Sequence, residues 1–172
     1  SNRCNQINQF VNLKILSEKP DLLIIFASYM AYDAVFAGDN GESYKAYLLD
    51  RIHFYLNRGV KQVLVIGQIP TWAETLPHTL AKQFVMRHQP IPQRTIIGVD
   101  PLSLTVDRQF NQYGINPSVK FLSMKDFLCN SQGCITKVGP NIKQDLLYID
   151  GGHLTPSGAD YVTKGLLLPY LP

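Results

Sequence analysis

Leu22-Leu23-Ile24-Ile25-Phe26-Ala27 decides the fold of this chain. The run is apolar without interruption. A strand that is wet on one face alternates apolar with polar residues, whereas a strand covered on both faces reads as a continuous apolar run. Pro20-Asp21 punctuates the chain just before it, and Ser28-Tyr29-Met30-Ala31-Tyr32-Asp33 follows at its carboxyl end. In open α/β sheets that end is where ligands bind.

Working outward, residues 5–18 predict an amphipathic helix, with Ile7, Phe10, Val11 and Ile15 on the helical period. Ala37 to Gly41 reads as a loop. A helix then carries Tyr44, Tyr47, Leu48, Ile52 and Tyr55 on one face and closes at Arg58-Gly59. Val63 to Ile66 is a second buried strand, again followed by a loop, Gly67-Gln68-Ile69-Pro70. Residues 71–94 hold Trp72, Pro77, Pro90 and Pro92, which break any long element; a lid and a plain connector both fit. Asp100-Pro101 predicts the start of another helix, with Leu102, Val106 and Phe110 inside and Gly114 at its end. Val119 to Leu122 is a third strand. A loop from Phe127 to Lys137, the apolar segment Leu146 to Ile149, and a closing helix with Ala159, Val162 and Leu166, stopped by Pro169, complete the chain. Helices alternating with buried strands imply a parallel sheet covered on both faces, hence an α/β fold of three layers, α/β/α.

The 172 residues suit one domain with a sizeable core, and 45% of them are apolar, which argues against disorder. A net charge of +3 spread over scattered Lys and Arg gives no nucleic-acid footprint. No apolar run approaches bilayer-spanning length, and no signal peptide is visible. There is no Walker loop and no GxGxxG, so a nucleotide-binding reading lacks its phosphate loop. The chain opens on Ser1-Asn2-Arg3 rather than Met, which reads as a piece of something longer.

Cys129 and Cys134 flank Asn130-Ser131-Gln132-Gly133, a turn-rich stretch. A small disulfide ring and two free thiols both fit that spacing. No His lies near them at zinc-ligand spacing, so no metal is expected. Cys4 is left over, with a partner expected outside this chain.

The chemistry concentrates in Tyr148-Ile149-Asp150-Gly151-Gly152-His153-Leu154-Thr155-Pro156-Ser157-Gly158-Ala159. Thr155 suits a helix N-cap and Pro156 the first helical position. The two glycines let the loop turn tightly enough for Asp150 to reach back to the His153 ring. An Asp on Nδ1–H fixes the imidazole tautomer and leaves Nε2 as a base, two thirds of a hydrolase triad. From spacing alone, a turn-capping Asp150 and a surface-loop His153 are the commoner reading, because a single D-x-x-H is a weak motif.

Four segments together resemble the SGNH hydrolase superfamily, and more closely the SGNH domains fused to bacterial membrane-bound acyltransferase-3 proteins, which O-acetylate cell-surface polysaccharides. Pro20-Asp21-Leu22-Leu23-Ile24-Ile25 resembles the superfamily's third conserved strand. Val63 to Pro70 resembles the next, and Leu76-Pro77-His78-Thr79-Leu80 the short segment after it. Asp150 to Ala159 resembles the final block, D-x-x-H-L-(S/T)-x-x-G-A. Cys129 and Cys134 resemble the cysteine pair that precedes that block, so the resemblance implies that they are joined. It covers nearly the whole chain and implies a flavodoxin-like three-layer sandwich forming a single domain over residues 1–172.

Two departures bear on function. The family's nucleophile lies in a Gly-Asp-Ser block at the end of the first strand, and no Gly-Asp-Ser occurs here. The first strand and the block after it are expected outside the chain. In the third block, alignment places Ser28 at the family's Gly and Met30 at its Asn, and Met30 cannot donate a hydrogen bond. Tyr29 matches an aromatic that acyltransferase-linked relatives carry after this strand, with Tyr32 a second. Ser28, Tyr29 and Tyr32 are therefore the expected substrate and oxyanion region, and Asp150 and His153 the catalytic residues. The resemblance implies serine-dependent acetyl transfer or ester hydrolysis on a cell-surface glycan, without metal or organic cofactor. It also implies an N-terminal integral-membrane acyltransferase domain and a periplasmic location, which the cysteine pair fits. A non-catalytic carbohydrate-binding or partner-docking module on the same scaffold is the alternative, favoured by the absent Ser and opposed by the intact Asp-x-x-His.

Overall fold

The computed structural model describes residues 2–31, 44–106 and 116–171. In chain order these form helix α1 (Asn2–Glu18), strand β1 (Leu22–Phe26), helix α2 (Tyr44–Leu56), strand β2 (Gln62–Ile66) and helix α3 (Leu76–Gln83). Strand β3 (Arg94–Thr95), strand β4 (Val119–Leu122), helix α4 (Met124–Leu128) and strands β5 (Cys129–Asn130) and β6 (Gly133–Ile135) follow. Helices α5 (Ile142–Asp145) and α6 (Pro156–Val162) end the set. This is the mixed α/β class with a parallel sheet that the alternation predicts. The chain divides into two compact units, one of residues 1–66 with 109–122, the other of residues 67–108 with 123–172.

The first unit holds the parallel sheet, in the order β1-β2-β4. Leu22 to Phe26 run in register with Gln62 to Ile66, and Val63 to Ile66 with Val119 to Leu122. The central strand is the buried one: Val63 to Ile66 are each at most 4% exposed. Helix α2 buries Tyr44, Leu48, Ile52 and Tyr55, spaced along one helical stripe. Tyr47, expected on that face, falls at its margin and is exposed. Helix α1 departs further from expectation. Ile7, Phe10 and Val11 are exposed, because among the described residues no element covers that face.

In the second unit, Cys129 and Cys134 are joined by a disulfide across the short hairpin of β5 and β6. Strand β3 pairs with β6, giving a small antiparallel sheet in the order β3-β6-β5. So short a loop gains about 2 kcal/mol from cross-linking in the chain-entropy model. Arg94 adds to the hairpin by donating to the Leu128 and Gly133 carbonyls. The remaining cysteine, Cys4 in the first unit, is free and exposed. Of the helix predicted from Asp100-Pro101, the described residues begin with a 3-10 turn, Leu102–Leu104. Asp100 Oδ1 accepts from Leu102 N, and Ser103 Oγ accepts from Thr71 N, so the turn is tied down at Leu102 and Ser103. Phe110 and Gly114, like the loop Ala37 to Gly41, lie outside the described residues. Among the described residues no helix is long and apolar enough to cross a membrane.

Candidate active site

The site is a loop closed at its neck. Tyr148 and Leu154 form an antiparallel bridge, and Ile149 N donates to the His153 carbonyl. The neck is anchored because Leu147 and Tyr148 are wholly buried. Asp150, Gly151 and Gly152 form the tip. There Asp150 Oδ1 accepts from the backbone N–H of Gly152 and of His153, each at 2.8 Å, while Oδ2 lies 2.7 Å from His153 Nδ1.

The order of causes is set by magnitude. The Asp150 and His153 side chains are 40% and 82% exposed, and exposed ion pairs contribute at most about 1 kcal/mol. Turn and neck therefore place the pair, and the pair does not hold the turn. The two backbone donors, Gly152 first, and then the His153 ring lower the Asp150 pKa to about 2. Asp150 is thus an anion at any ordinary pH. Facing it, His153 carries its proton on Nδ1 when neutral, and Nε2 is left as the acceptor on an open side chain.

Each remaining residue of the final block has a local task. Thr155 caps α6 by accepting from Gly158 N, and its own hydroxyl donates to the Leu146 carbonyl. Pro156 takes the first helical turn. At Gly158 a Cβ would stand 2.3 Å from the Leu147 carbonyl oxygen, so only glycine lets the helix approach the segment that delivers Asp150. The tip glycines act differently from expectation. Neither Gly151 nor Gly152 has positive φ, and Gly151 instead lies against the Trp72 carbonyl, 3.0 Å from where its Cβ would be.

That contact belongs to a second segment, for which the sequence left a lid and a plain connector both open. Trp72 N donates to the Gly151 carbonyl at 2.7 Å, and Leu76 N donates to the Asp150 carbonyl at 3.0 Å. The Trp72 ring stands edge-on to Tyr148 at 6.4 Å between centroids. Residues 72–76 therefore splint the tip. The signal for this was present: Thr75 is an N-cap that accepts from His78 N, with Pro77 in the first turn of α3. On the same turn, His78 Nδ1 lies 2.7 Å from Glu74 Oε2, a second and exposed imidazole–carboxylate pair.

The other expected site residues belong to the first unit. Ser28 is exposed and its carbonyl accepts from Ala31 N, opening a helical turn. Tyr29 is fully buried; its hydroxyl donates to the Ile66 carbonyl and its ring lies 5.8 Å from that of Tyr44. Tyr32 lies outside the described residues. Among the described residues no cluster of three or more His, Cys, Asp or Glu side chains is arranged to hold a metal ion.

A family model described as "SGNH domain (fused to AT3 domains)" matches residues 1–167. Among solved structures, the chain is similar to the periplasmic domain of lipopolysaccharide acetyltransferase from Salmonella ser. Paratyphi A. The TM-score is 0.69 and the identity 21%, over 91% of this chain and 59% of that one. This chain thus spans about six-tenths of its neighbour's length, and at that identity the likeness shows the fold. Among curated proteins none matches.

Proposed function

This chain belongs to the family of SGNH domains fused to AT3 domains, and from that membership we propose that it supplies the Asp–His half of a serine-dependent acyl-transfer site acting on a cell-surface glycan. The observation that carries the reading is the 2.7 Å contact between Asp150 Oδ2 and His153 Nδ1, on a carboxylate kept ionised by its own turn.

The nucleophile is a Ser outside these 172 residues, in which no Gly-Asp-Ser occurs. Its Oγ attacks an acyl ester while His153 Nε2 takes the proton, and Asp150 stabilises the imidazolium. The leaving alkoxide recovers that proton. A sugar hydroxyl or water then attacks the acyl-enzyme, with His153 again as base. Backbone N–H groups serve as the oxyanion donors, since Met30 stands where the family has Asn. The fused acyltransferase domain is the membrane partner. The neighbour's description as a periplasmic domain supports an extracytoplasmic location, as does the Cys129–Cys134 disulfide.

A non-catalytic glycan-binding module is the second reading, favoured by the absence of Gly-Asp-Ser from the chain. One experiment separates the two. Acetyl-ester hydrolysis is measured on the full-length protein and on its His153→Ala variant. Turnover that collapses in the variant supports the enzyme, and turnover untouched by it rules out the Asp150–His153 assignment.

A further inference from the structure

We propose that helix α6 carries a binding subsite for an uncharged sugar segment, in a cleft that starts beside the Asp150–His153 loop and runs away from it along the helix. The cleft has a volume of about 640 Å³ and is lined by Val138, Pro156, Ser157, Asp160, Tyr161, Lys164 and Gly165. Six of these seven come from one helical face at spacings of one, three and four residues. Pro156 and Ser157 follow His153 within four residues, so the near end of the cleft adjoins the loop that holds the imidazole. From Pro156 to Lys164 the helix and the turn that follows it rise roughly 10–12 Å, more than one sugar ring requires.

The floor is built to present an aromatic ring. Tyr161 is 37% exposed, and its ring rests on Phe127 at 5.4 Å between centroids and 36° between planes. Phe127 fits there because of Gly165, where a Cβ would stand 2.5 Å from Phe127 Cζ. Gly165 and Lys164 sit in a π-helical turn, Thr163–Leu167, that follows directly on α6. Turns of this kind are rare and recur at functional sites. This one carries two of the lining residues.

The rim selects the ligand class. Asp160 Oδ2 and Lys164 Nζ pair at 2.8 Å, so the edge of the cleft is neutral yet offers carboxylate acceptors and ammonium donors side by side. An anionic ligand would have to compete with Asp160, and a cationic one with Lys164. A purely apolar chain would leave both groups unused. A neutral pyranose has one apolar C–H face for the Tyr161 ring and hydroxyls that both donate and accept around its edge, which matches floor and rim together. Because a glycan is the substrate class proposed above, the identity of the ligand rests on that reading. Binding here, however, needs no turnover.

The test is equilibrium binding, followed by NMR on the chain, with neutral hexose and deoxyhexose oligosaccharides at millimolar concentration; oligogalacturonate and octanoate serve as charged and apolar probes. Resonances of Tyr161, Ser157 and Lys164 should move with a neutral oligosaccharide and not with the other two. Tyr161→Ala should weaken binding about tenfold, whereas Tyr161→Phe, which keeps the ring and its contact with Phe127, should bind as the parent does. If Tyr161→Ala fails to fold, the shift map of the parent chain decides. Failure of every neutral oligosaccharide to move these resonances, preferential binding of octanoate or oligogalacturonate, or shifts centred elsewhere would each overturn the assignment. Loss of esterase activity in His153→Ala bears on the catalytic reading alone, so the two can fail separately.

Discussion

Asp150 holds His153 at two points: its Oδ2 lies 2.7 Å from the ring Nδ1, and its Oδ1 accepts from the His153 backbone N–H at 2.8 Å. One carboxylate thus fixes both where the imidazole starts and which way it faces. An amide at this position keeps the shape but can donate to Nδ1, which moves the ring proton to Nε2 and removes the base. In the complete protein, Asp150→Asn should therefore cost roughly four orders of magnitude in ester turnover, and His153→Ala three or more. Steady-state hydrolysis of an acetyl ester checks both, and near-parental rates in either variant would remove the pair from the mechanism.

The same turn sets an acid limit. The Gly152 and His153 backbone donors and the His153 ring lower the Asp150 pKa to about 2, below its unfolded value of about 3.9. The folded state therefore binds this proton less readily than the unfolded chain does. The stabilisation is complete above the unfolded pKa and is lost as pH falls through about 2. Amide protection of Gly152 and His153 should stay level from neutral pH to about pH 5 and decline below about pH 4. Asp150→Asn should abolish that dependence, and protection lost already near neutrality would contradict the assignment of the donors.

Gly158 is a steric requirement. Alanine there would place its Cβ 2.3 Å from the Leu147 carbonyl oxygen, and neither backbone has a flexible end to give way. Gly158→Ala should destabilise by roughly 1–3 kcal/mol, as overpacking does, and should displace the segment that delivers Asp150. The neighbouring, exposed Ala159→Gly should cost about 1 kcal/mol or less. Denaturant melts of the two variants make the comparison, and equal losses would mean that the contact is not what excludes a side chain.

Tyr148 predicts the opposite sign. It is wholly buried, its hydroxyl has no hydrogen-bond partner among the described residues, and burial pushes its pKa up. Removing an unpaired buried hydroxyl relieves a desolvation cost. Tyr148→Phe should be neutral or stabilising by about 1 kcal/mol, with the ring contact to Trp72 kept. A clear loss of stability would reveal a partner for the hydroxyl.

The sheet was legible because Leu22 to Phe26 and Val63 to Ile66 are unbroken apolar runs and Val119 to Leu122 is interrupted only at Lys120, although of the three only Val63 to Ile66 is buried throughout. The hairpin Cys129 to Ile135 was not, because strands of two and three residues carry no period. The contact between Asp150 and His153 was legible from a spacing of three residues. Its splint, Trp72 to Leu76, lies more than seventy residues away in the chain, and such contacts leave no local pattern. The π-helical turn was missed for a different reason: Val162 and Leu166 keep a four-residue spacing that an α-helix also shows.

The last prediction concerns these 172 residues on their own. Strand β1 pairs with β2 on one side, and among the described residues nothing pairs with its other side. Ile24 and Phe26 on that strand are 42% and 54% exposed, and Ile7, Phe10, Val11 and Leu13 of α1 are exposed as well. A cleft of about 540 Å³ opens between α1, β1 and α2 in the same unit. Parallel strands are normally covered, and a free apolar edge is a template for another strand. The chain alone should therefore self-associate, or take up a segment that adds a strand to β1. It should also leave acetyl esters intact, since triad residues act as a unit and a missing nucleophile costs nearly as much as losing all three. Sedimentation and an esterase assay on the same sample test both statements. A clean monomer that hydrolyses esters briskly would overturn them together, and would point to a serine already present, Ser28 after β1, as the nucleophile.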